Sequence, residues 1–581
     1  MNIRTSQRAI GLVVAFVVVV SILTACATPK PQVVEVEVTR IIAGTPETVV
    51  VTATPAPVEE PAEEAHDTLV VVSSATPPSL DPDWWAGNHW IRVVTNVYDS
   101  VMEYAYVAPS ELGIEGATDV DGVSNVTGEL DEGITGNFFE SWTISEDKQT
   151  ITLKIREGYK SYYGDQATAD DFIWRVERAF ATNDMGEFQI MVTGITTPTD
   201  ITKIDDMTIQ VHLPNGPNPV FFKGMCVQVV TPLDVDRLRD EGWLTAEDPW
   251  GLEAFKQHDF GFGPYHAVEW IPGQQVVLEA NPYYYKPLHF KKVIVREVPE
   301  AGNRFAMLVS GEAHVTQELT LIQMNELRGG LGEARLVDLP TSTEAFRMVT
   351  NQDWGTFANS DCFHALGYAV PYEEIQRVAF LGFGQIKHVI VAPLVGPDVN
   401  TEYMPFDYDI DKARELWQKG NCPKTWTLSF CTESPHHEDV AILIRGEFAK
   451  LGVDVVIDKL PTATFYQKLA EHTMEALVME SSHFVADAGY ALWLSWHKDS
   501  FGNEQGYYSD EVSAMIDQSM SMPAGPERTA LLWEIQQIVT DEGGRFHMLY
   551  PGWHVAANRH LRGLYWPNDN YLKWKYLYWE N

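Results

Sequence analysis

TITLKIREGYKSYYGDQATADDFIWRVERAF, residues 150–180, contains the clearest pattern of secondary structure in the chain. Within it, residues 150–156 alternate apolar and polar side chains, which is typical of a strand covered on one face. A turn at residues 164–165 follows, and TADD at residues 168–171 is a capping box, which marks the start of a helix. Apolar side chains in residues 172–180 then recur on one helical face. The stretch therefore predicts a strand, a turn and a helix in that order.

The chain after residue 66 continues this mixture of strands and helices. Short apolar or alternating runs predict strands, and amphipathic runs that end at Gly predict helices. The predicted strands are 68–72, 207–213, 275–278, 293–298 and 453–457, and the predicted helices are 303–309, 409–419 and 437–451. The order of these elements indicates a mixed α/β fold.

The composition excludes several classes of protein. The 581 residues include 41 Lys and Arg against 81 Asp and Glu, which gives a formal net charge of −40, and 45% of the residues are hydrophobic. This apolar fraction can fill several folded cores, so the chain is not disordered throughout. The negative charge repels phosphate backbones and we find no basic stripe with interleaved aromatics, so nucleic-acid binding is not expected.

The N-terminus has the pattern of an export signal. Arg4 and Arg8 precede an apolar stretch at residues 9–25, which is short for a retained membrane span of about 20 residues. The phrase Leu-Thr-Ala-Cys at residues 23–26 resembles the lipobox of bacterial lipoproteins, in which the signal is cut before the Cys and the thiol is acylated. We therefore predict a signal peptide over residues 1–26, lipidation of Cys26 and an extracytoplasmic protein anchored to the bacterial cell membrane. A retained membrane anchor, or a Cys that follows the signal by chance, is the alternative.

Residues 27–66 have the composition of a tether, because Pro, Thr, Val and Glu recur throughout them. Such a stretch cannot bury a core, so we predict a disordered linker between the membrane and the folded body. As a coil it would span roughly 35 Å on average.

Four Cys remain in the body. Outside the cytoplasm a disulfide can form, and Cys422 and Cys431 are close enough along the chain to pair across a turn. Cys226 and Cys362 are equally well explained as buried free thiols. No spacing matches CxxC, so a structural zinc site is not expected, and no metal ligand and no cofactor is predicted.

A series of phrases along the body matches a known family in family order. The phrases are PSLDP (78–82), NVYD (96–99), ESW (140–142), LKIREG (153–158), TADDF (168–172), GFGPY (261–265), NPYY (281–284), LVSGE (308–312), YDIDKAREL (408–416) and LGVDV (451–455). Together they resemble the extracellular solute-binding proteins of family 5, which feed peptides, nickel chelates or oligosaccharides to ATP-binding-cassette (ABC) importers.

The resemblance implies an α/β, two-lobed fold of the periplasmic-binding-protein type, with a hinge of two crossing strands. Lobe I would comprise residues 67–336 with an inserted subdomain at about 105–225, lobe II residues 337–541, and residues 542–581 would return to lobe I. A monomer of this kind captures a peptide-like solute by closing its lobes and delivers it to the permease subunits of the importer. It needs neither catalysis nor a cofactor.

The resemblance also places ligand-binding residues in the second lobe. SHFVAD, residues 482–487, is similar to a family phrase whose Asp holds the α-amino group of peptides, so Asp487 is the leading candidate, with His483 and Phe484 beside it. A carboxylate suits this task because a buried ammonium needs a charged partner. The residues after Asp487 depart from the pattern of peptide binders, and a helix cap is the alternative role for Asp487.

Aromatic residues near two other family phrases are further candidates. Trp84 and Trp85, more than Trp90, follow Leu-Asp-Pro in a segment that relatives place at the cleft, where flat rings stack on sugars or apolar side chains. Tyr550 and Trp553 lie in HMLYPGW, which resembles the strand that returns through the hinge. Packing in the core is the alternative for each of these aromatics.

The pair His436 and His437 precedes a predicted helix, in a loop where some peptide binders contact the carboxylate of their ligand. A solvated helix start is the alternative.

Three other functions compete with peptide capture. An exported hydrolase could use two carboxylates, but the chain has no Gly-x-Ser-x-Gly, HExxH, Walker loop or GxGxxG followed by a helix. Oligosaccharide binding is the alternative inside the family, because 18 Trp and 23 Tyr suit stacking on sugars. A receptor or scaffold without an importer would carry the same motifs.

Overall fold

The computed structural model describes residues 34–42, 45–53, 67–84, 87–128, 130–182, 185–256, 258–432 and 434–580. The chain divides into two compact units, Met1–Ala65 and His66–Asn581.

In the first unit, Val34–Ile42 and Thr45–Ala53 pair as antiparallel strands. The structure therefore differs here from the disordered linker that the composition predicts. Val and Glu alternate over residues 34–38, which is the two-residue period of a strand, and this local pattern explains the difference. The role of the segment as a tether stays a prediction, and the predicted signal peptide with Cys26 lies outside the described residues.

The second unit contains a seven-stranded mixed sheet, which we call the first-lobe sheet. Its central strand, Thr68–Ser73, lies parallel to Lys292–Glu297 with Leu69 opposite Val293. The strand order is Tyr265–Ile271, Gln275–Ala280, Lys292–Glu297, Thr68–Ser73, Val315–Thr316, Trp553–Asn558 and Ala334–Leu339.

A separate antiparallel sheet lies in the region of the predicted inserted subdomain. Its strand order is Ile201–Asp205, Thr208–His212, Thr150–Ile155 and Phe139–Ile144. One half of the predicted capping box is present, since the Thr168 backbone N–H donates to Asp171 Oδ2 at 2.7 Å and the helix Ala169–Thr182 follows. The prediction of strand, turn and helix is thus confirmed.

A five-stranded sheet, which we call the second-lobe sheet, is built from the later part of the chain. Its strand order is Asp454–Leu460, Thr425–Cys431, Ala476–Ser481, Ala345–Thr350 and Arg545–Leu549. Phe346, Trp426 and Phe448 are among the buried residues of its core.

The chain crosses between the two sheets twice. It leaves the first-lobe sheet after Leu339 and enters the second-lobe sheet at Ala345, and it returns between Leu549 and Trp553. The second crossing therefore lies after residue 549, whereas the sequence places it at 542, because Arg545–Leu549 still pairs with Ala345–Thr350. We use "first lobe" for residues 67–339 and 553–580 and "second lobe" for residues 345–549.

Helices cover the sheets. The α-helices of the first lobe are Asn88–Val97, Ala169–Thr182, Met185–Val192, Phe221–Met225, Val235–Asp240, Ala301–Ser310 and Leu321–Glu326. Those of the second lobe are Ser360–Ala369, Tyr372–Glu374, Ile410–Lys419, Pro435–Lys450, Thr462–Ala470, Ala488–Trp496, Asp510–Ser521 and Pro526–Glu542. None of the helices in the described ranges has both the length and the apolar character needed to span a membrane.

A disulfide joins Cys362 to Cys422, 60 residues apart, with 5.8 Å between their Cα atoms. The pairing of Cys422 with Cys431 that proximity along the chain suggests is therefore wrong, as is a free thiol at Cys362. The fold brings the start of helix Ser360–Ala369 beside the end of helix Ile410–Lys419. The Cys431 thiol instead lies 3.1 Å from the Thr462 hydroxyl.

Candidate ligand-binding site between the lobes

The topology of the second-lobe sheet gathers polar residues at one edge, next to the crossings. Strands Thr425–Cys431 and Ala476–Ser481 are parallel, so their carboxyl ends meet at the same edge. Glu480 lies at the end of the second strand, and His436 and His437 lie in the first turn of helix Pro435–Lys450, which follows the first strand. Ala345 pairs with Ser481, which brings the adjacent Glu344 to this edge as well.

Glu480 is the centre of this group. Its Oε1 lies 2.7 Å from His436 Nε2, and its Oε2 lies 3.5 Å from His437 Nε2. Burial opposes the ionisation of Glu480, but the two imidazoles outweigh burial and hold its pKa well below the usual range. The carboxylate is therefore charged at neutral pH.

Glu344 is the second carboxylate of the group, and it forms no ion pair with any residue that the structure describes. Burial raises its pKa above the usual value, and the negative charge of Glu480 adds to this shift. Arg92, which belongs to the first lobe, acts on Glu344 in the opposite direction. Glu344 lies at the junction of the lobes, because it belongs to the segment that crosses from Leu339 to Ala345.

Arg92 is itself held by the first lobe. It lies on helix Asn88–Val97 and pairs with Glu318, whose Oε1 is also 3.1 Å from His89 Nδ1. Burial opposes the ionisation of Glu318, but Arg92 and His89 keep the pKa of this carboxyl well below its usual range. The charge of Arg92 is thus largely balanced by Glu318, so Arg92 compensates Glu344 only in part.

A second feature of the junction is a cavity beside Phe484. It is a small cavity lined by residues of the first lobe together with Phe484 of the second lobe. Its charged groups are mutually paired: Lys575 Nζ is 2.8 Å from both Asp99 and Glu103. The predicted residue Phe484 therefore lies at the junction, where its backbone carbonyl accepts a hydrogen bond from Asn568 of the first lobe at 2.5 Å.

Asp487 is buried and carries out two structural tasks. It is the N-cap of helix Ala488–Trp496, since its Oδ1 accepts a hydrogen bond from the Tyr490 backbone N–H at 3.1 Å. The same oxygen lies 2.8 Å from Arg528 Nη2. Burial raises the pKa of Asp487, but Arg528 and the nearby Lys223 outweigh burial and lower it to about 2. The helix cap that the sequence offers as an alternative is thus present.

His483, Tyr550 and Trp553 are packed inside the protein. His483 is 5% exposed, and burial lowers its pKa to about 3, so the imidazole is neutral. The Tyr550 hydroxyl donates to the Val389 carbonyl at 2.8 Å, and Trp553 Nε1 donates to the Asn570 carbonyl at 2.9 Å. Their polar atoms already have protein partners, and a contact of these residues with ligand stays a prediction.

The tryptophans after Leu-Asp-Pro have different environments. Trp84 is 46% exposed, which leaves its ring available to a ligand. Trp90 is fully buried and donates to the Asp81 carbonyl at 2.9 Å, so it belongs to the core. Trp85 lies outside the described residues.

Sequence reasoning does not single out Glu344, Glu480 or Arg92. A signal for Glu480 exists, because a carboxylate that ends a buried strand at the carboxyl edge of a sheet is a common site position. The position of Glu344 depends on the register between Ala345 and Ser481, which no local pattern reveals.

Comparisons with known proteins agree with this architecture. The sequence model of the bacterial extracellular solute-binding proteins, family 5, matches residues 133–503, which is more than half of the chain. The probable D,D-dipeptide-binding periplasmic protein DdpA of Escherichia coli is 24% identical over 504 residues, which cover 86% of this chain and 91% of that protein.

Two solved structures have the same fold. The periplasmic binding protein DppA of Helicobacter pylori, in complex with the peptide STSA, is 20% identical with a TM-score of 0.74, covering 88% of this chain and 98% of that one. A dipeptide-binding protein of Pseudoalteromonas, in complex with Met-Leu, is 18% identical with a TM-score of 0.73, covering 88% of this chain and 100% of that one.

These relatives are solute-binding proteins rather than enzymes. The two-lobed α/β fold, the polar junction between the lobes and the family match agree with one another, and the chain belongs to the bacterial extracellular solute-binding proteins, family 5.

Proposed function

We propose that this protein is the substrate-binding lipoprotein of an ABC importer and that it captures a peptide-like solute with a protonated amino group between its lobes. The observation that carries the proposal is Glu344, an acidic side chain at the lobe junction that forms no ion pair among the described residues and whose pKa burial raises to about 8, so that it is largely protonated until a cation binds beside it. It lies beside a second carboxylate, Glu480, and Arg92 and His436 offset the effect of burial on its pKa only in part.

An ammonium group is the ligand chemistry that suits Glu344. A carboxylate removed from water loses solvation unless a hydrogen-bonded cation replaces the water. A primary ammonium is such a cation, and a charge-assisted hydrogen bond is stronger than a neutral one. The names of the relatives support the same chemistry, because a D,D-dipeptide, Met-Leu and STSA are all peptides.

Asp487 is the second candidate for the amino group. Its resemblance to the family Asp supports this role, and its ion pair with Arg528 weakens the support, because an incoming ammonium has to compete with a guanidinium that is already 2.8 Å away. The amino group of the ligand therefore contacts Glu344 first, and it reaches Asp487 only if Arg528 moves.

Closure of the lobes turns binding into a signal for the permease. A ligand that contacts both lobes stabilises the closed state alone, and its differential affinity for that state shifts the population. Phe188 of the first lobe stacks on Trp493 of the second lobe with 5.7 Å between ring centroids, which adds an apolar contact to the closed state. No bond of the solute has to be broken for this task.

Binding is tested by native mass spectrometry of protein purified without refolding, followed by calorimetry. We expect a trapped peptide, and we expect a tripeptide with an acetylated N-terminus to bind about 10- to 100-fold more weakly than the same peptide with a free amine. A trapped oligosaccharide, equal affinity for the two peptides or hydrolysis of the peptide would contradict the proposal.

The predicted anchor is tested separately. Cys26→Ser should abolish lipid labelling and either release the protein into the medium or leave its signal uncleaved. Normal lipid labelling of this variant would refute the anchor without affecting the binding function. Genes for permease and ATPase subunits beside this one would support delivery to an importer over a receptor or scaffold role.

A further inference from the structure

Two imidazoles lie beside the Glu480 carboxylate, and binding of an ammonium group at Glu344 does not require the imidazoles. His436, His437 and Glu480 each offer one ligand atom, and these three atoms lie within 4.8 Å of one another. Within the described part of the chain this is the one group of three or more His, Cys, Asp or Glu side chains with such spacing. The prediction of no metal ligand rests on the absence of CxxC spacing, which has no bearing on a site built from His and Glu.

The distances fit the first coordination shell of a small divalent cation. Metal to nitrogen and metal to carboxylate bonds of about 2.0 to 2.2 Å place tetrahedral ligand atoms roughly 3.3 to 3.6 Å apart. His437 Nε2 lies 3.5 Å from Glu480 Oε2. His436 Nε2 is hydrogen-bonded to the other carboxylate oxygen, Oε1, at 2.7 Å, so the carboxylate has to turn until one oxygen faces both imidazoles when the metal binds.

His437 supplies an independent observation. Its side chain is 4% exposed, its Nδ1 has no hydrogen-bond partner in the described structure, and its Nε2 has only the 3.5 Å contact with Glu480 Oε2. A buried imidazole that is satisfied so poorly is costly, and a ligand held by one nitrogen removes part of that cost. His437 is therefore not part of a solvated helix start, which the sequence offers as an alternative.

The two imidazoles are held in position by aromatic packing. The ring centroid of Phe346 lies 5.2 Å from that of His437, and Phe380 lies 5.0 Å from His436. Both imidazoles belong to the first turn of the 16-residue helix Pro435–Lys450, and Glu480 lies on a strand of the sheet. Ligands on rigid elements need little reorganisation to bind a metal.

The site is accessible from the lobe junction. The side chains of His436 and Glu480 keep 21% and 26% of their surface exposed. Three protein ligands leave a coordination position open in a four-coordinate site.

We propose that His436, His437 and Glu480 bind a divalent transition-metal cation of the Zn²⁺ class at the lobe junction and leave one coordination position open toward the cleft. Two imidazoles and one carboxylate select such a cation over Ca²⁺ or Mg²⁺, which prefer oxygen ligands. The open position would accept an amine or carboxylate of a solute, and Glu344 lies near enough to balance part of the added positive charge. Metal binding does not depend on the proposed peptide function, because it can be measured without any peptide.

The test uses the full-length protein in detergent, stripped of metal by a chelator. Co²⁺ titration should produce visible absorption bands of a nitrogen-ligated, low-coordinate ion with one Co²⁺ per chain, and Zn²⁺ should displace it. His437→Asn should weaken Co²⁺ binding by more than the roughly 10- to 100-fold that loss of an outer-shell partner costs. His560→Asn, at an exposed position, is the matched control and should bind like the wild type.

Three results would overturn the proposal: no stoichiometric Co²⁺ binding to the wild-type protein, unchanged binding in His437→Asn, or equal loss in His560→Asn. If His437→Asn does not fold, Co²⁺ binding is measured in the isosteric variant Glu480→Gln. This substitution keeps the shape of a side chain that is 26% exposed. Loss of Co²⁺ binding with a preserved melting temperature in Glu480→Gln supports the site, and retained binding rejects it. Peptide affinity measured with a chelator present reports on the proposed function separately.

Discussion

Asp487 and Arg528 form an ion pair inside the second lobe, with 2.8 Å between Oδ1 and Nη2 and only 4% and 2% of their side chains exposed. Arg528 also pairs with Asp398 at 2.8 Å, and Lys223 of the first lobe donates to the Ala486 carbonyl beside Asp487 at 3.0 Å. The residue that sequence resemblance marks as a ligand contact is thus embedded in a network that joins the lobes without a ligand. Stability and binding have to be separated when Asp487 is tested.

Replacing Asp487 with Ala should lower the free energy of unfolding by about 3 kcal/mol, the lower end of the range for a broken buried ion pair, because Arg528 keeps Asp398. The loss of the N-cap of helix Ala488–Trp496 contributes to this figure. Urea denaturation followed by tryptophan fluorescence measures it. A change below about 0.5 kcal/mol would show that the ion pair contributes nothing net.

Asp487→Asn is the control, because Asn caps helices as well as Asp does but carries no charge. It should lose less stability than the Ala variant. If Asp487 binds the amino group of the solute, the Asn variant should lose affinity for an amine-bearing peptide as strongly as the Ala variant does. An unchanged dissociation constant in Asp487→Asn would remove the residue from the site.

Glu344→Gln should stabilise the ligand-free protein at pH 8 and weaken peptide binding. Burial and Glu480 raise the pKa of Glu344 in the folded protein, so the folded state binds this proton more tightly than the unfolded state. The wild-type protein therefore keeps its full stability below the pKa that Glu344 has in the unfolded chain. It loses stability as the pH rises toward the pKa that Glu344 has in the folded protein. The variant should be more stable than the wild type at pH 8, by at least about 1 kcal/mol, and equally stable near pH 4.

Thermal unfolding of wild type and Glu344→Gln across this pH range, with a chelator present, measures the difference. If Glu344→Gln were less stable than the wild type at pH 8, the Glu344 carboxylate would already have a stabilising positive partner in the ligand-free protein. The affinity of Glu344→Gln for a free-amine peptide should be lower than that of the wild type. Glu344 would then both destabilise the ligand-free protein and bind the ligand.

Local patterns predict much of the fold. The alternation in residues 150–156 corresponds to strand Thr150–Ile155, and Asp409 caps helix Ile410–Lys419 as its position suggests. Both features depend on neighbours within four residues. The pairing of Cys362 with Cys422 and the meeting of Glu344 with Glu480 depend on tertiary register, which no single segment contains. The candidate site is accordingly less predictable than the elements that build it.

Removal of the disulfide should destabilise the second lobe. Cys362 and Cys422 close a loop of 60 residues, and a cross-link of this length contributes roughly 2 to 4 kcal/mol by restricting the unfolded chain. The double variant Cys362→Ser/Cys422→Ser should therefore unfold at lower urea concentration, while Cys431→Ser, the control, should not remove the cross-link. Peptide mapping that recovers a peptide linking Cys422 to Cys431 would contradict the pairing.

Phe188 should control how far the lobes close. It lies on helix Met185–Val192 of the first lobe, and its ring contacts Trp493 at 5.7 Å and Phe501 at 4.9 Å, both in the second lobe. Aromatic pairs contribute about 0.5 to 1.5 kcal/mol each, so Phe188→Ala should shift the ligand-free protein toward the open state. Peptide affinity should then fall about 3- to 10-fold, because part of the binding free energy is used to close the lobes.

Small-angle scattering of the ligand-free variant should show a larger radius of gyration than the wild type, and saturating peptide should restore the closed value. Tyr508→Ala, at a side chain that is 60% exposed, is the matched control and should change neither quantity. If Phe188→Ala lowered affinity with no change in the radius of gyration, Phe188 would act on the ligand or on local packing instead of on closure. An unchanged affinity with a larger radius would mean that closure contributes no free energy to binding.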